Sequence, residues 1–383
     1  MQEPLKERYD AVVIGAGLIG LSCAWRAAQR GLSVLVLERD AGVGAGASGV
    51  AAGMLAPVTE ADFGEQPQLR LGLAAAAAWP AFAAELEERT GLPTGFRQSG
   101  ALVVAADRDD SEELRRLHAF QLSLGLEAQW LSPSRCRRLE PGLSPRVGGG
   151  ILAPHDAQAD PLAVVHALAA ALRSAGGELA CGSSVQELTT AHGRVSGVRT
   201  PTRTVECPQV VIAAGAWSPA LAPRGLRPPV RPVKGQILDL RTRGGAEDPI
   251  TRIVRTPRCY LLARGDGRVV LGATVEEQGF DTAVTAGGVQ QLLEAAWEVL
   301  PEVAELELVR ARAGLRPGTP DNAAIVGAGE LDGLLWATGH WRNGVLLAPI
   351  TGEAVARLLA GEALLEGLEG LSPARFAREE ALA

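Results

Sequence analysis

Ala11-Val-Val-Ile-Gly15-Ala-Gly17-Leu-Ile-Gly20 is the stretch on which the fold turns. An apolar run of four residues predicts a buried strand. The glycine-spaced turn after it opens a helical segment that reaches Arg30 and is closed by Gly31. Ser33-Val-Leu-Val-Leu37 then predicts a second buried strand, ending at Glu38. The order strand, Gly-x-Gly-x-x-Gly, helix, strand, acid is that of a βαβ dinucleotide-binding unit. Gly15 permits the tight turn, Gly17 lets backbone approach a pyrophosphate, and Gly20 brings helix and sheet close. The helix N-terminus offers unpaired N–H groups and a partial positive charge to the phosphates. Glu38 lies 23 positions after Gly15, where an acid accepts from ribose hydroxyls; its charge opposes a 2′-phosphate and so disfavours NADP.

Working outward, Gly42-Val-Gly-Ala-Gly-Ala-Ser-Gly-Val-Ala-Ala-Gly53-Met54 is dense in small residues that let backbone approach a large flat ligand. Taken alone it also reads as a flexible loop. Gln209–Ala214 predicts a strand running into Gly215, and Leu334–Thr338 another, followed by a turn over Gly339–Gly344 and a helix over Val345–Ala360. Ligand-facing segments thus come from the start, middle and end of the chain. Asp160 begins a helix reaching Ser174, ahead of a strand around Glu178–Leu188. Phe96–Ala106 and Val230–Thr274 are strand-rich, and within the latter Arg258–Arg264 and Arg268–Thr274 flank a Gly265-Asp-Gly267 hairpin turn.

The 383 residues suffice for two or three domains, and 46 glycines stand well above the usual ~7%. A net charge of −7 and no basic run interleaved with aromatics argue against a nucleic-acid partner. The uncharged stretch Leu71–Ala84 contains Pro80 and is too short for a membrane span, so it predicts a buried helix and no membrane partner. Five scattered cysteines without a C-x-x-C pair suggest neither a disulfide framework nor a metal site, and fit a reducing, cytoplasmic setting. All but two of the 37 basic residues are arginine, so no single arginine is informative by type alone.

The chain resembles the FAD-dependent amine oxidases, the D-amino acid oxidase and sarcosine oxidase family, and within it the glycine oxidase branch of thiazole (thiamine) biosynthesis. The resemblance rests on Ala51-Ala-Gly-Met-Leu55, Pro232-Val-Lys-Gly235, Cys259-Tyr260, Gly272-Ala-Thr274, Gly314-Leu-Arg-Pro-Gly-Thr319 and Gly339-His-Trp-Arg-Asn-Gly-Val-Leu-Leu-Ala-Pro349. It implies an α/β (α+β), D-amino acid oxidase-like fold: a discontinuous Rossmann-like FAD-binding domain (1–88, 153–224 and 313–383) with an antiparallel-sheet substrate domain (89–152 and 225–312). It also implies oxidation of glycine, sarcosine or small D-amino acids by hydride transfer to the flavin, dioxygen as acceptor giving hydrogen peroxide, and a homotetramer.

Carried over by position, the resemblance adds Leu18, Ile19, Arg39, Ala47, Ser48, Ala52, Met54 and Val185 to Gly15, Gly17, Gly20, Glu38, Gly53 and Gly215 as FAD contacts. His340, Trp341, Arg342, Asn343, Gly344, Val345 and Leu346 match the loop and helix start beneath the flavin ring. Arg316 matches the arginine that grips the substrate carboxylate, Tyr260 its supporting tyrosine, and Arg342 a second charge nearby; Met54 also matches a substrate contact. A planar guanidinium suits that carboxylate, through two parallel hydrogen bonds. Without the resemblance Arg316 reads as a surface arginine and Tyr260 as sheet packing. FAD is expected to be non-covalent, because Gly314–Thr319 lacks the attachment cysteine of sarcosine oxidases. Arg258 and Val275 stand where glycine oxidases often carry histidine and methionine, which leaves substrate ranking open; Lys234 reads equally as surface charge or site residue. Two alternatives stand beside the oxidase reading: a flavin dehydrogenase using another acceptor, and a catalytically silent flavin-binding partner protein.

Overall fold

In the computed structural model, which describes residues 5–222 and 227–376, the opening run is a fully buried parallel strand, Ala11–Ile14. It pairs with Val34–Leu37 on one side and Gln209–Ile212 on the other. The six-stranded sheet runs in the order Ile325–Ala328, Leu334–Thr338, Gln209–Ile212, Ala11–Ile14, Val34–Leu37, Glu178–Ala180. Only its Ile325–Ala328 edge is antiparallel. Short apolar strands without alternation are what a sheet covered on both faces requires. Helices Leu18–Gln29, Pro161–Ser174, Gly344–Leu359 and Gln66–Thr90 build the core on one face, and a three-stranded sheet (Glu187–Ala191, Arg194–Arg199, Thr204–Glu206) covers the other.

Asp160 caps Pro161–Ser174 through its side chain, which accepts from the amides of Leu162 and Ala163, as the start signal predicts. The helix read as Leu71–Ala84 extends over Gln66–Thr90 and buries one face only, through Ala75, Trp79, Phe82 and Leu86. The single strand expected over Glu178–Leu188 divides into Glu178–Ala180 and Glu187–Ala191, which belong to different sheets. Gly182, at φ 69°, turns the chain between them.

The second body is an eight-stranded sheet in the order Glu307–Gly318, Arg231–Arg241, Arg268–Gly272, Tyr260–Ala263, Ile253–Arg255, Ala101–Val104, Gly150–Ala153, Gln129–Leu131. It is antiparallel except where Ile253–Arg255 runs parallel to Ala101–Val103. Ala286–Val299 packs on one face over Leu238, Leu261 and Leu271. The other face looks toward the glycine-rich turns, with Ala52, Met54, Ile237 and Tyr260 in one cluster. Glu307–Gly318 pairs along its length with Arg231–Arg241, so a division at residue 313 cuts this strand, and the sheet retains the chain to residue 318. Among the described residues no helix is long and apolar enough to cross a membrane.

Candidate active site

Between the two sheets lies a cavity of about 480 Å³, walled at one end by the first βα turn and at the other by the eight-stranded sheet. At the first end Gly15 adopts φ 109°, and a Cβ on it would meet the carbonyl oxygen of Ala213 at 2.6 Å. A Cβ on Gly20 would lie 2.0 Å from the oxygen of Gly15, so no larger residue fits where the helix leaves the strand. Ser48 Oγ accepts from the amide of Leu18 at 2.9 Å, tying the small-residue segment to the helix N-terminus. Glu38 is buried; one carboxylate oxygen accepts from the amide of Ala16 at 2.7 Å and the other from that of Asp40 at 3.0 Å. These bonds fix its carboxylate at the cavity edge. Arg39 lies over the ring of Trp217, 3.7 Å from its centroid, on the same wall.

A second helix aims its start at the cavity: Gly344 and Val345, the first residues of Gly344–Leu359, line it beside His340, Trp341 and Arg342. Unsatisfied first-turn N–H groups give that end a partial positive charge. His340 is 3% exposed, with Nε2 3.1 Å from Thr351 Oγ1, and burial pushes its pKa from 6.5 down to about 3. It is therefore a neutral packing and hydrogen-bonding group and no proton acceptor at neutral pH.

At the opposite wall Arg316 projects from Glu307–Gly318 and lies flat across the neighbouring strand, over Gly235. A Cβ on Gly235 would meet its guanidinium at 2.3 Å. Arg316 donates through one nitrogen to the carbonyls of Lys234 (3.3 Å) and Thr274 (3.1 Å). The ring of Tyr260 likewise lies over Gly272, where a Cβ would meet it at 2.5 Å. Burial lowers the Arg316 pKa against the field of Tyr260 and in concert with that of Arg342, and burial raises Tyr260 against the field of Arg316. The pair thus forms a cationic, hydrogen-bonding corner at the cavity wall, with Arg342 exposed at its rim.

The chain matches the model of the FAD dependent oxidoreductases (DAO) over residues 10–358. The chain belongs to this FAD-dependent oxidoreductase family. Glycine oxidase of Geobacillus kaustophilus is 35% identical over 362 residues, covering 93% of this chain and 94% of the relative. Its crystal structure superposes with a TM-score of 0.90 at 34% identity, over 96% and 98% of the two chains. The bifunctional ThiO/ThiG protein of Synechocystis is 35% identical over 373 residues, 96% of this chain, and the chain spans 54% of that relative's length. Hydrogen cyanide synthase subunit HcnC of Pseudomonas aeruginosa is 31% identical over 98% of both chains.

The observed groups fit FAD. Two helix N-termini and a glycine cradle that a Cβ would fill suit the phosphates, Glu38 suits ribose hydroxyls, and Ala52, Met54 and Ile237 supply an apolar wall. Of the contacts expected from sequence, Gly15, Gly17, Leu18, Ile19, Glu38, Arg39, Ala47, Ser48, Ala52, Gly53, Met54, Val185, Gly215, His340, Trp341, Arg342, Gly344 and Val345 line the cavity. Gly20, Asn343 and Leu346 do not: Gly20 serves helix–strand packing, the backbone of Asn343 accepts from Leu347, and Leu346 is core, its carbonyl receiving Trp79 Nε1 at 2.9 Å. Tyr260 and Arg316 are brought together on the opposite wall.

Lys234 is 1% exposed and off the cavity wall, its Nζ 2.8 Å from Asp281 and 3.6 Å from Glu276, which hold its pKa up. Neither a surface charge nor a cavity residue, it pins the segment after Thr274. Arg258 directs its guanidinium outward to Glu298. Sequence reasoning missed Arg255 and Glu60, both on the wall. The available signal for Arg255 was its place on the strand preceding Tyr260; for Glu60 no motif marks it.

Proposed function

We propose that this chain oxidises glycine and similarly small amines, with Arg316, Tyr260 and Arg342 holding the substrate and non-covalent FAD as its redox group. The observation that carries the reading is the Arg316–Tyr260 corner, set into two glycine gaps across the cavity from the flavin-type cradle. The names of the relatives, glycine oxidase and ThiO, support it.

Arg316 binds the substrate carboxylate through the guanidinium edge left free of Lys234 and Thr274, and Tyr260 donates to the same group. Two anchors fix the rotation of the amino acid and hence which Cα bond faces the opposite wall. Met54, Ile237 and Val50 on the walls exclude water, which strengthens the grip on the carboxylate. The N-terminus of Gly344–Leu359 favours negative charge accumulating at that side of the cavity. FAD held in the cradle would supply a two-electron acceptor for the substrate Cα hydride, with dioxygen as the final acceptor. Overall the amine gives up one hydrogen from Cα as hydride and one from nitrogen as a proton, dioxygen gains both to become hydrogen peroxide, and water converts the released imine to an oxoacid and ammonia. No chain residue has to take a proton from Cα, which agrees with a neutral, hydrogen-bonded His340.

The reading extends to a glycine imine delivered to thiazole formation, a homotetramer, a cytoplasmic setting supported by five free cysteines, and a division into FAD-binding and substrate-binding parts along the two large sheets. In the test, Arg316→Ala retains its yellow flavin while KM for glycine rises on the order of 100-fold, as loss of a charged double hydrogen bond requires. An unchanged KM contradicts the assignment.

A further inference from the structure

The charges around Arg316 exceed what one carboxylate needs. The substrate end of the cavity is lined by Arg255, Arg258, Arg316, Arg342 and Glu60. Arg258 is neutralised by Glu298 outside it. That leaves the guanidinium groups of Arg255, Arg316 and Arg342 against the single carboxylate of Glu60.

Arg255 is placed by the sheet. It pairs directly with Tyr260 across antiparallel strands, so both side chains leave the same face as close neighbours, and Tyr260 in turn pairs with Gly272 on its other side. The lateral order Arg255, Tyr260, Gly272 sets Arg255 beyond Tyr260, on the flank away from Gly272. The Arg255 charge is close enough to act on the Tyr260 hydroxyl, as is that of Glu60. One Arg255 nitrogen donates to the carbonyl of Thr59, which fixes the guanidinium to the Met54–Glu60 segment on the facing wall. Among the described residues Arg255 forms no ion pair. A cation held by a neutral acceptor and turned to a cavity is equipped for an anionic ligand group.

Resting on the oxidase reading above, we propose that Arg255 determines specificity by receiving a second anionic group, so that the site favours small amines carrying two carboxylates over the matching monocarboxylates. An amine with two carboxymethyl arms places one carboxylate at Arg316 and Tyr260 and carries the other past Tyr260 toward Arg255. Glu60 faces the same space and limits the accepted charge to one extra carboxylate, since with it the three arginines leave a net charge of two to be met.

The test compares N-(carboxymethyl)glycine with sarcosine, which differ by that carboxylate, and malonate with acetate as unreactive ligands. Wild-type holoenzyme shows a higher kcat/KM for the dicarboxylic amine and tighter calorimetric binding of malonate. Arg255→Gln retains a donor for Thr59 and removes the charge. It lowers kcat/KM for the dicarboxylic amine roughly tenfold or more and weakens malonate to match, while sarcosine turnover and acetate binding stay within about twofold. Arg255→Lys restores part of the difference. Equal losses for both members of each pair, or a wild type that prefers the monocarboxylates, overturns the proposal. If no amine is turned over at all, the oxidase reading fails, while the malonate and acetate affinities still decide whether Arg255 receives an anion.

Discussion

Two residues without side chains shape the substrate corner. Gly235 and Gly272 leave gaps into which Arg316 and Tyr260 lie flat against the sheet; a methyl group in either gap would overlap them, at 2.3 Å and 2.5 Å respectively. Gly235→Ala should therefore lift Arg316 from its carbonyl partners and raise KM for the amino acid roughly tenfold, with flavin content unchanged. Steady-state kinetics beside the visible spectrum checks this, and an unaltered KM would show that Arg316 does not bind substrate from this position. His340 provides a prediction in pH. Its pKa falls from 6.5 unfolded to about 3 folded, so the folded state binds fewer protons between these values. Its contribution to stability is complete above pH 6.5 and is lost as pH falls toward 3. Melting temperatures from pH 7 to pH 4 should drop less steeply in His340→Gln than in the wild type; parallel curves would contradict the neutral assignment. Arg316 and Tyr260 were readable from sequence only through the motifs around them. Arg255 was legible only as a residue on the strand before Tyr260; its pairing opposite Tyr260, which turns both side chains to one face, appears in the hairpin register.

At the scale of elements, the glycine turn and the two helix starts carry the cofactor argument. Gly20→Ala inserts a Cβ 2.0 Å from backbone that cannot yield, so the helix must shift from the phosphate position. The variant should purify largely free of FAD, measured as the ratio of absorbance at 450 to 280 nm; full occupancy would remove the turn from the binding site. Strand Glu307–Gly318 carries Arg316 but no cysteine. Acid precipitation should release all the yellow colour into the supernatant, and a yellow pellet would contradict non-covalent binding. The first βαβ unit and the last helix were legible because hydrophobic runs, glycines and caps are local signals. The split of Glu178–Leu188 was not, since which sheet each half joins depends on partners far away in sequence. Likewise the continuity of Glu307–Gly318 through residue 313 rests on its pairing with Arg231–Arg241, a long-range fact.

In the whole molecule the two large sheets face one cavity, with the chain passing between them several times. This arrangement sets a dinucleotide cradle on one wall and a carboxylate-binding corner on the other, which neither sheet supplies alone. The separation of roles gives its clearest prediction in the intact protein. Purified yellow enzyme is mixed with glycine, sarcosine, D-alanine and D-proline, first without oxygen and then in air. Anaerobic bleaching near 450 nm by glycine, followed in air by one hydrogen peroxide released per imine formed, is the result predicted for an amine oxidase built on Arg316 and Tyr260. Bound FAD that none of these amines bleaches would contradict it.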